Sequence, residues 1–420
     1  MKLSALAAFA VSFALLPAIA SAEPITIQVS YSSGAYSGVL MESKRAFETR
    51  HPDIKISYRG PVLNTYEELL QATLRSAAIG DLPDISLEGN LNVGILADRG
   101  IPIALDGLIA GEATWGDLGY SPSIREVGQI GGKTYALAYA TSVPTIYVNL
   151  DLLKKAGVDT ANLSSDWNAL SEAASKVQKL GGGVVGGLFD YHSAGNWTFQ
   201  ALITSQGGEI LTPDGTGIAF NSPQGLRALE ILRTFGAAGT VDMTQPQMLQ
   251  AFAAGTVGIL ASFSAAIGQI EQQIAGKFQM KAVPWPILSE NGRVPAGGRA
   301  VMIYAKDPSK QKAAWEYVKF LTGAVGQTIL VKGVGAVPVN QRAVDDPNLL
   351  GKFYDEHPNQ KPALEAVPRL TKWLSYPGAN SVKVSEIIRD QLRRVLIRQD
   401  DAPVVMADIV KQISPLLPPK

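Results

Sequence analysis

Hydrophobic and polar positions alternate in short blocks at the start of the chain, and each block has the length of one secondary-structure element. Residues 25–30 alternate and are rich in β-branched side chains, which predicts a strand. Residues 39–50 have helical spacing, and residues 54–58 alternate again. An amphipathic helix follows at 66–78 and a third strand at 84–87. This order predicts a parallel sheet with helices packed on it.

The carboxyl ends of parallel strands are the usual position of a ligand in such a sheet. The segments 32–36 and 88–90 follow the first and third predicted strands. Glu88 stands at a strand end with a glycine behind it, and it suits a ligand contact and a solvated loop position equally well. We therefore take Tyr36 and Glu88 as candidate ligand contacts.

The rest of the chain continues the mixture of strands and helices. Extended segments are predicted at 131–149 and 258–261, and the glycine pair Gly297-Gly298 is expected to precede a strand at 300–304. Helical spacing predicts further helices at 150–156, 167–180, 197–206, 222–237, 246–254, 310–321 and 381–396. No repeat or long linker is found, so the domains should be joined by continuous strands.

The N-terminus has a different pattern. Lys2 gives a basic start, residues 3–19 are almost entirely apolar, and the small-x-small triplet 20–22 follows at once. We interpret residues 1–22 as a secretory signal peptide. A membrane anchor is the alternative, but the run is short for about 30 Å of hydrocarbon. Since the chain has no cysteine, it can form neither disulfides nor a lipid thioether, and we expect a soluble periplasmic protein.

Length and composition limit the function classes. The mature chain of 398 residues (420 minus 22) exceeds the roughly 250–300 residues of a single core, so two domains are expected. Lysine plus arginine and aspartate plus glutamate both number 37, which leaves no basic excess for nucleic acid. Three histidines and no cysteine argue against a structural zinc site, and we predict no metal and no cofactor.

Enzyme motifs are weak or missing. Gly181, Gly183 and Gly186 match the spacing of a dinucleotide fingerprint, but a helix stands where the motif needs a strand. The segment 128–134 is one residue short of a phosphate-binding loop, and a strand follows it. No G-x-S-x-G elbow occurs, and a thiol nucleophile is excluded. Paired carboxylates could still serve a glycosidase, because its two acids need not be close in sequence.

Aromatic side chains give a more useful pattern, because several stand near glycine or proline at predicted element ends. For any single tryptophan, core packing is the usual role. A sugar, however, offers flat C–H faces and hydroxyls that stacked aromatics and a few polar groups can bind. The candidates are Tyr36, Tyr66, Trp197, Trp285, Trp373 and Tyr376.

Taken in order, a set of loose motifs resembles the family 1 extracellular solute-binding proteins of ABC importers. The likeness covers nearly the whole mature chain and rests on residues 47–55, 80–85, 132–137, 141–149, 152–157, 253–259, 297–303 and 337–339. The resemblance implies two α/β lobes joined by a hinge, the type II periplasmic-binding-protein fold. Lobe one would take residues 23–138 and 298–335, and lobe two residues 139–297 and 336–420. The ligand would lie between the lobes and favour their closure, which the membrane permease recognises.

Within this family the chain most resembles the glycerol-3-phosphate-binding branch. The resemblance implies ligand contacts at Tyr66, Glu88, Ser142, Ser264 (or Ser262) and Gly298 (or Gly297), with Trp197 as a wall. In two places the chain departs from the pattern. Ala336 stands where the family pattern has a tyrosine. The phosphate-binding arginine of that pattern would fall near Tyr376, where this chain has no arginine. Because a bidentate arginine is the natural phosphate partner, we expect a neutral carbohydrate or polyol first and a glycerol-3-phosphate or glycerophosphodiester ligand second. Arg299 or Lys372 could replace the missing charge.

The sequence thus predicts a monomeric periplasmic binding protein that delivers a carbohydrate to the permease and performs no chemistry. An exported glycosidase that uses Glu88 and a second acid is the remote alternative. A chemoreceptor or adhesion partner that binds the same ligand for signalling is a third hypothesis, since function depends on the site and not on the fold.

Overall fold

The computed structural model describes residues 23–59 and 65–419, and the predicted signal peptide at 1–22 lies outside the described residues. The strands are β1 (Ile25–Tyr31), β2 (Ile54–Tyr58), β3 (Ile85–Gly89), β4 (Gln129–Ile130), β5 (Lys133–Thr134), β6 (Leu137–Ser142), β7 (Pro144–Asn149), β8 (Val185–Phe189), β9 (Val257–Phe263), β10 (Met280–Pro284), β11 (Val294–Pro295), β12 (Gly297–Ile303) and β13 (Leu370–Thr371).

The α-helices alternate with these strands and dominate the C-terminal third. They are α1 (Ser37–Arg50), α2 (Tyr66–Ile79), α3 (Val93–Asp98), α4 (Asp106–Ala110), α5 (Pro122–Val127), α6 (Leu150–Lys155), α7 (Trp167–Gln178), α8 (Trp197–Thr204), α9 (Pro223–Gly236), α10 (Gln245–Ala253), α11 (Ile267–Ile274), α12 (Pro308–Thr322), α13 (Ala324–Val334), α14 (Gln341–Asp345), α15 (Phe353–Glu356), α16 (Lys361–Glu365), α17 (Ser381–Leu396) and α18 (Ala402–Ile413).

The first sheet has the strand order β2-β1-β3-β12-β6. Strand β1 pairs in parallel with β2 and β3, which confirms the predicted parallel arrangement for the first three strands. The prediction did not cover the other two strands, and β12 runs antiparallel to both β3 and β6. Strand β12 enters this sheet from the far end of the chain, so local pattern could not reveal its direction.

The second sheet has the order β10-β7-β9-β8, with β7 antiparallel to both of its neighbours. Each sheet has its own hydrophobic core. One core contains Val29, Leu87 and Val318, and the other contains Ile146, Leu232 and Ile388. We call the body around the first sheet the first lobe and the body around the second sheet the second lobe.

Two of the passages of the chain between the lobes lie in continuous extended segments. Strand β6 ends in the first sheet and β7 begins in the second, with Val143 between them. Strand β11 likewise leads through Ala296 into β12. Near the first crossing, Thr141 and Val337 form an isolated β-bridge. The lobe boundaries given above remain a prediction.

Local sequence signals explain where several helices begin and end. Thr65 and Glu68 form a capping box at the start of α2, and Gly80 ends that helix in the left-handed conformation. The hydroxyl of Ser222 accepts a hydrogen bond from the Gly225 amide and caps α9. The C-cap of α10 is Ala254, and Gly255 follows it at φ +83°. Within the described residues, none of the helices combines the length and apolar character needed to span a membrane.

Candidate functional site

A cavity lies between the two lobes, where both sheets present the ends of their strands. Most of its lining is aromatic, hydroxyl or glycine, and a single guanidinium supplies its charge. The lining residues are Tyr36, Tyr66, Ala140, Thr141, Ser142, Ser193, Ala194, Trp197, Gln245, Phe263, Ala265, Gly297, Gly298, Arg299 and Trp373.

The first-lobe wall of the cavity consists of Tyr36, Tyr66 and Arg299. The guanidinium carbon of Arg299 lies 4.5 Å from the ring centroid of Tyr36 and 4.9 Å from that of Tyr66. Its Nη1 donates a hydrogen bond of 2.8 Å to the hydroxyl of Ser32, at the carboxyl end of β1. Burial raises the pKa of Tyr66 to about 12, so its phenol stays neutral at physiological pH. Two aromatic faces therefore hold this cation in place.

A strand irregularity next to the guanidinium positions it. The register between β12 and β6 shifts between Arg299 and Ala300. Just before the shift, Gly298 has φ +99°, and a Cβ there would lie 1.8 Å from the carbonyl oxygen of Ala140. Only glycine fits this backbone without a rearrangement. The bulge thus re-aims β12 at the point where it reaches the cavity.

The second-lobe wall consists of Trp197, Phe263 and Trp373. Trp197 and Trp373 lie with ring centroids 6.2 Å apart, and the Nε1 of Trp197 donates a hydrogen bond of 3.0 Å to the carbonyl of Pro295. Across the cavity, Trp373 meets Tyr66 edge to face at 5.8 Å. The indole Nε1 of Trp373 has no hydrogen-bond partner among the described residues. Aromatic rings from both lobes therefore meet at one end of the cavity.

Neutral polar groups complete the site. The Ser142 hydroxyl lies 3.3 Å from that of Ser264, which also accepts a hydrogen bond from the Val143 amide. On the other side, Gln245 donates from Nε2 to the Asp190 carboxylate over 2.5 Å. Burial raises the pKa of Asp190 to about 6, although the bond from Gln245 lowers it in part. Hydroxyl, amide and aromatic groups of this kind suit a small polyhydroxylated molecule.

A match to known proteins explains this architecture. Residues 42–362 match the family described as bacterial extracellular solute-binding proteins. The chain belongs to this family. Its two-lobed α/β fold is the fold predicted from sequence, and it is a solute-binding component that acts outside the cytoplasm.

Individual relatives of this solute-binding protein are distant. The sn-glycerol-3-phosphate-binding periplasmic protein UgpB of Agrobacterium fabrum is 23% identical over 396 residues, covering 90% of this chain and 89% of UgpB. UgpB of Mycobacterium tuberculosis, solved with glycerophosphocholine, is 21% identical with a TM-score of 0.78, covering 94% and 98%. The cyclic α-maltosyl-1,6-maltose binding protein of Arthrobacter globiformis is 21% identical with a TM-score of 0.76, covering 93% and 97%.

The structure brings five of the predicted ligand contacts of this solute-binding protein to the interlobe cavity. These are Tyr36, Tyr66, Ser142, Trp197 and Gly298. Ser264 stands behind Ser142 and lines a separate small pocket. Lys372 is half-buried and is absent from the lining of the cavity, whereas Arg299 is part of it.

Glu88 lies outside the cavity, contrary to its predicted ligand role. Its side chain is fully buried inside the first lobe and accepts hydrogen bonds from Thr73 (2.6 Å), Ser86 (3.0 Å), Tyr304 (3.3 Å) and Asn92 (3.5 Å). Burial raises the pKa of Glu88 against the lowering effect of these donors. Asn92 also donates to the carbonyl of Tyr66, so Glu88 supports the cavity wall indirectly.

Tyr376 also lies outside the cavity. It is 2% exposed, its ring packs edge to face with Phe220 in the core of the second lobe, and its hydroxyl has no partner among the described residues. Sequence reasoning did not select Gln245 or Phe263, and no local signal marks either residue. Trp373 was among the candidate aromatics, and its position beside a strand end was the available signal.

Proposed function

We propose that this solute-binding protein captures a carbohydrate (a sugar, glycoside or polyol) in the periplasm and delivers it to the membrane permease of an ABC importer. The observation that carries the proposal is the interlobe cavity, whose aromatic rings come from both lobes. A ligand that touches Tyr66 on one side and Trp197 on the other favours the closed arrangement of the lobes. Closure then presents the surface that the permease recognises.

Different lining residues contact different chemical groups of the ligand. Trp197 and Trp373 offer flat faces to the C–H surface of a sugar ring. The hydroxyl of Ser142 and the amide of Gln245 exchange hydrogen bonds with ligand hydroxyls. Gly298, without a side chain, allows the backbone to approach the ligand closely. We place the hinge where the chain crosses at Val143 and Ala296, close to the predicted lobe boundaries at 138 and 298.

A glycerol-3-phosphate or glycerophosphodiester ligand is the second candidate. One observation favours it: the charged residue that lines the cavity is the cation Arg299. Relatives named for glycerol 3-phosphate lend this candidate the same support that the sugar-binding relatives lend to the first.

We further propose that the protein is a monomer that does not bind nucleic acid and catalyses no reaction. Glu88, the acid considered for glycosidase chemistry, is buried and fully engaged in hydrogen bonds. The described residues hold no group of three or more potential metal-ligating side chains.

Calorimetry on the mature protein tests the proposal, with a panel of mono- and oligosaccharides, polyols and glycerol phosphate esters. We expect one chemical class to bind and small-angle scattering to report a decrease in the radius of gyration on binding. Turnover of aryl glycosides that disappears in Glu88→Gln would instead favour the glycosidase. If the whole panel gives neither heat nor compaction, the proposal is wrong.

A further inference from the structure

The guanidinium of Arg299 is a buried charge without a counter-ion. The residue is 4% exposed, and no carboxylate among the described residues lies within 4 Å of it. More exposed basic residues do have such partners: Arg293 pairs with Glu126 at 2.8 Å, and Arg394 pairs with Asp400 at 2.8 Å. Burying an unpaired cation costs several kcal/mol, so this arrangement calls for an explanation.

The groups around Arg299 position it and leave its charge uncompensated. Tyr36 and Tyr66 offer ring faces, and the hydroxyl of Ser32 accepts one hydrogen bond. The Nε–H of the guanidinium makes no hydrogen bond. Tyr66 is neutral, because burial raises the pKa of its phenol to about 12. A held but unneutralised cation is the arrangement expected of a receptor for an anion.

The other acidic side chains of this region make hydrogen bonds with other groups and do not pair with Arg299. Glu88 is enclosed by its four donors, and Asp190 lies behind Gln245 in the second lobe. The cavity lining contains Arg299 and no carboxylate. The charge on the lining itself is therefore positive, and the low dielectric of a narrow interlobe space strengthens its attraction for an anion.

We propose that Arg299 is the binding site for one anionic group, a phosphate or a carboxylate, on the sugar or polyol that the protein captures. This inference rests on the proposed function and specifies its substrate class. The anion pairs with the guanidinium at the first-lobe wall, and the carbon skeleton lies against Trp197 and Trp373. Such a ligand needs both lobes to complete its contacts.

Wild-type calorimetry with matched pairs of probes tests the inference without any variant. The pairs are glycerol 3-phosphate with glycerol, glucuronate with glucose, and gluconate with sorbitol. We expect the acidic member of at least one pair to bind roughly 100-fold more tightly than the neutral member, with an affinity that falls as salt rises. The pairs also separate the two sources, since phosphate and carboxylate probes differ in geometry and charge.

Variants at Arg299 then locate the charge. Arg299→Gln should lose roughly 100-fold in affinity for the acidic probe, and Arg299→Lys should lose less, because lysine keeps the charge and loses the planar fork. Arg233→Gln is the matched control: that arginine pairs with Glu230 on α9, far from the cavity lining, and should leave affinity unchanged. Thermal unfolding and circular dichroism verify that each variant is folded.

The possible outcomes separate this inference from the proposed function. If neutral sugars bind wild type as tightly as their acidic partners, or if folded Arg299→Gln keeps its affinity for the acidic probe, the inference is overturned while the carbohydrate proposal stands. If no probe of either kind binds wild type, the proposed function itself fails. Should Arg299→Gln not fold, the wild-type pairs and the Lys variant still decide.

Discussion

The two walls of the interlobe cavity differ in chemistry. The first-lobe wall is built around the cation of Arg299, clamped by Tyr36 and Tyr66 and supported by a strand bulge. The second-lobe wall is built around the indoles of Trp197 and Trp373 and carries no charge. The first wall therefore offers a charge, and the second offers apolar faces. A ligand that has only one of these features can satisfy only one lobe.

This difference has a consequence for closure. The free energy that holds the lobes together comes from contacts that a bound molecule makes with both sides. An inorganic anion would fill the first wall and leave the indoles uncovered. An apolar ring would stack on the second and leave Arg299 unpaired. A molecule that joins the two features is thus selected by the geometry of the site as a whole.

Substitutions in the glycine pair between the walls, Gly297 and Gly298, should have the largest effect on stability. Gly298→Ala would place a methyl group 1.8 Å from the backbone oxygen of Ala140 at a positive φ, so we expect about 4 kcal/mol of lost stability. Gly297→Ala would instead press on the ring of Trp197 at 2.8 Å, which can shift, and should cost about 2 kcal/mol. Urea denaturation with unchanged m-values measures both.

The two glycine variants should also differ in binding. Gly297→Ala displaces the ring of Trp197 in the second-lobe wall. Its loss of ligand affinity should therefore be large compared with its modest loss of stability. A Gly298→Ala protein that unfolds at the wild-type urea midpoint would contradict the assigned role of the bulge. Gly34→Ala is a suitable control, because a Cβ there meets nothing within 4 Å.

Asp190, behind the second-lobe wall, gives the next largest effect. Burial raises its pKa from 3.8 to about 6, so the unfolded chain ionises first as pH rises. Stability from this group is complete below about pH 4 and is lost as pH rises toward 6, by roughly 3 kcal/mol, with a plateau above. The difference in unfolding free energy between wild type and Asp190→Asn, measured from pH 4 to 8, isolates this group.

Neighbouring groups titrate in the same range and have to be separated from Asp190. Burial lowers the pKa of His192, which lies close to Asp242 and Arg393. These residues are present in both proteins, so their contributions cancel to first order in the difference. If the difference curve is flat across pH 4–6, the raised pKa of Asp190 is wrong.

Local elements were predictable from sequence because short-range physics determines them. Helix α17 was predicted at 381–396 and has those bounds, since its amphipathic spacing and basic end are both visible in the chain. The first three strands and their parallel pairing follow from the same kind of signal. The direction of β12 was not predictable, because its partners are more than 150 residues away in sequence.

The site was only partly predictable, because the packing of the lobes determines which side chains point into the cavity. Glu88 and Arg299 both stand near ends of adjacent strands, but Glu88 is paired in register with Ala300 and turns into the lobe. Trp197 and Tyr376 looked equivalent in sequence, and only the first reaches the cavity. Side-chain alternation within a strand is predictable, whereas the assignment of one face to the cavity requires the tertiary structure.

The two tryptophans of the second-lobe wall differ in their Nε1 contacts, which allows a matched comparison. Trp197→Phe removes the donor to Pro295 and should cost about 1.5 kcal/mol more stability than Trp373→Phe, whose Nε1 has no partner. Trp373→Phe should instead weaken ligand binding, because phenylalanine offers a smaller apolar face than the indole. Denaturation of the free protein and calorimetry separate these effects. Equal stabilities for the two variants would contradict the comparison.

Ser32 gives the smallest and most selective effect, on the first-lobe wall. Its hydroxyl, fully buried, accepts the hydrogen bond from Nη1 of Arg299. Ser32→Ala removes the acceptor of the Nη1–H group, so only the two tyrosine rings and the ligand hold the guanidinium. The guanidinium then loses its fixed orientation, but it keeps its charge. We expect an affinity loss of about fivefold for an acidic ligand, equivalent to about 1 kcal/mol, and no change for a neutral sugar that rests on the tryptophans. Because Ser32 lies outside the cavity lining, an equal loss for both ligands would mean that the two walls do not act separately.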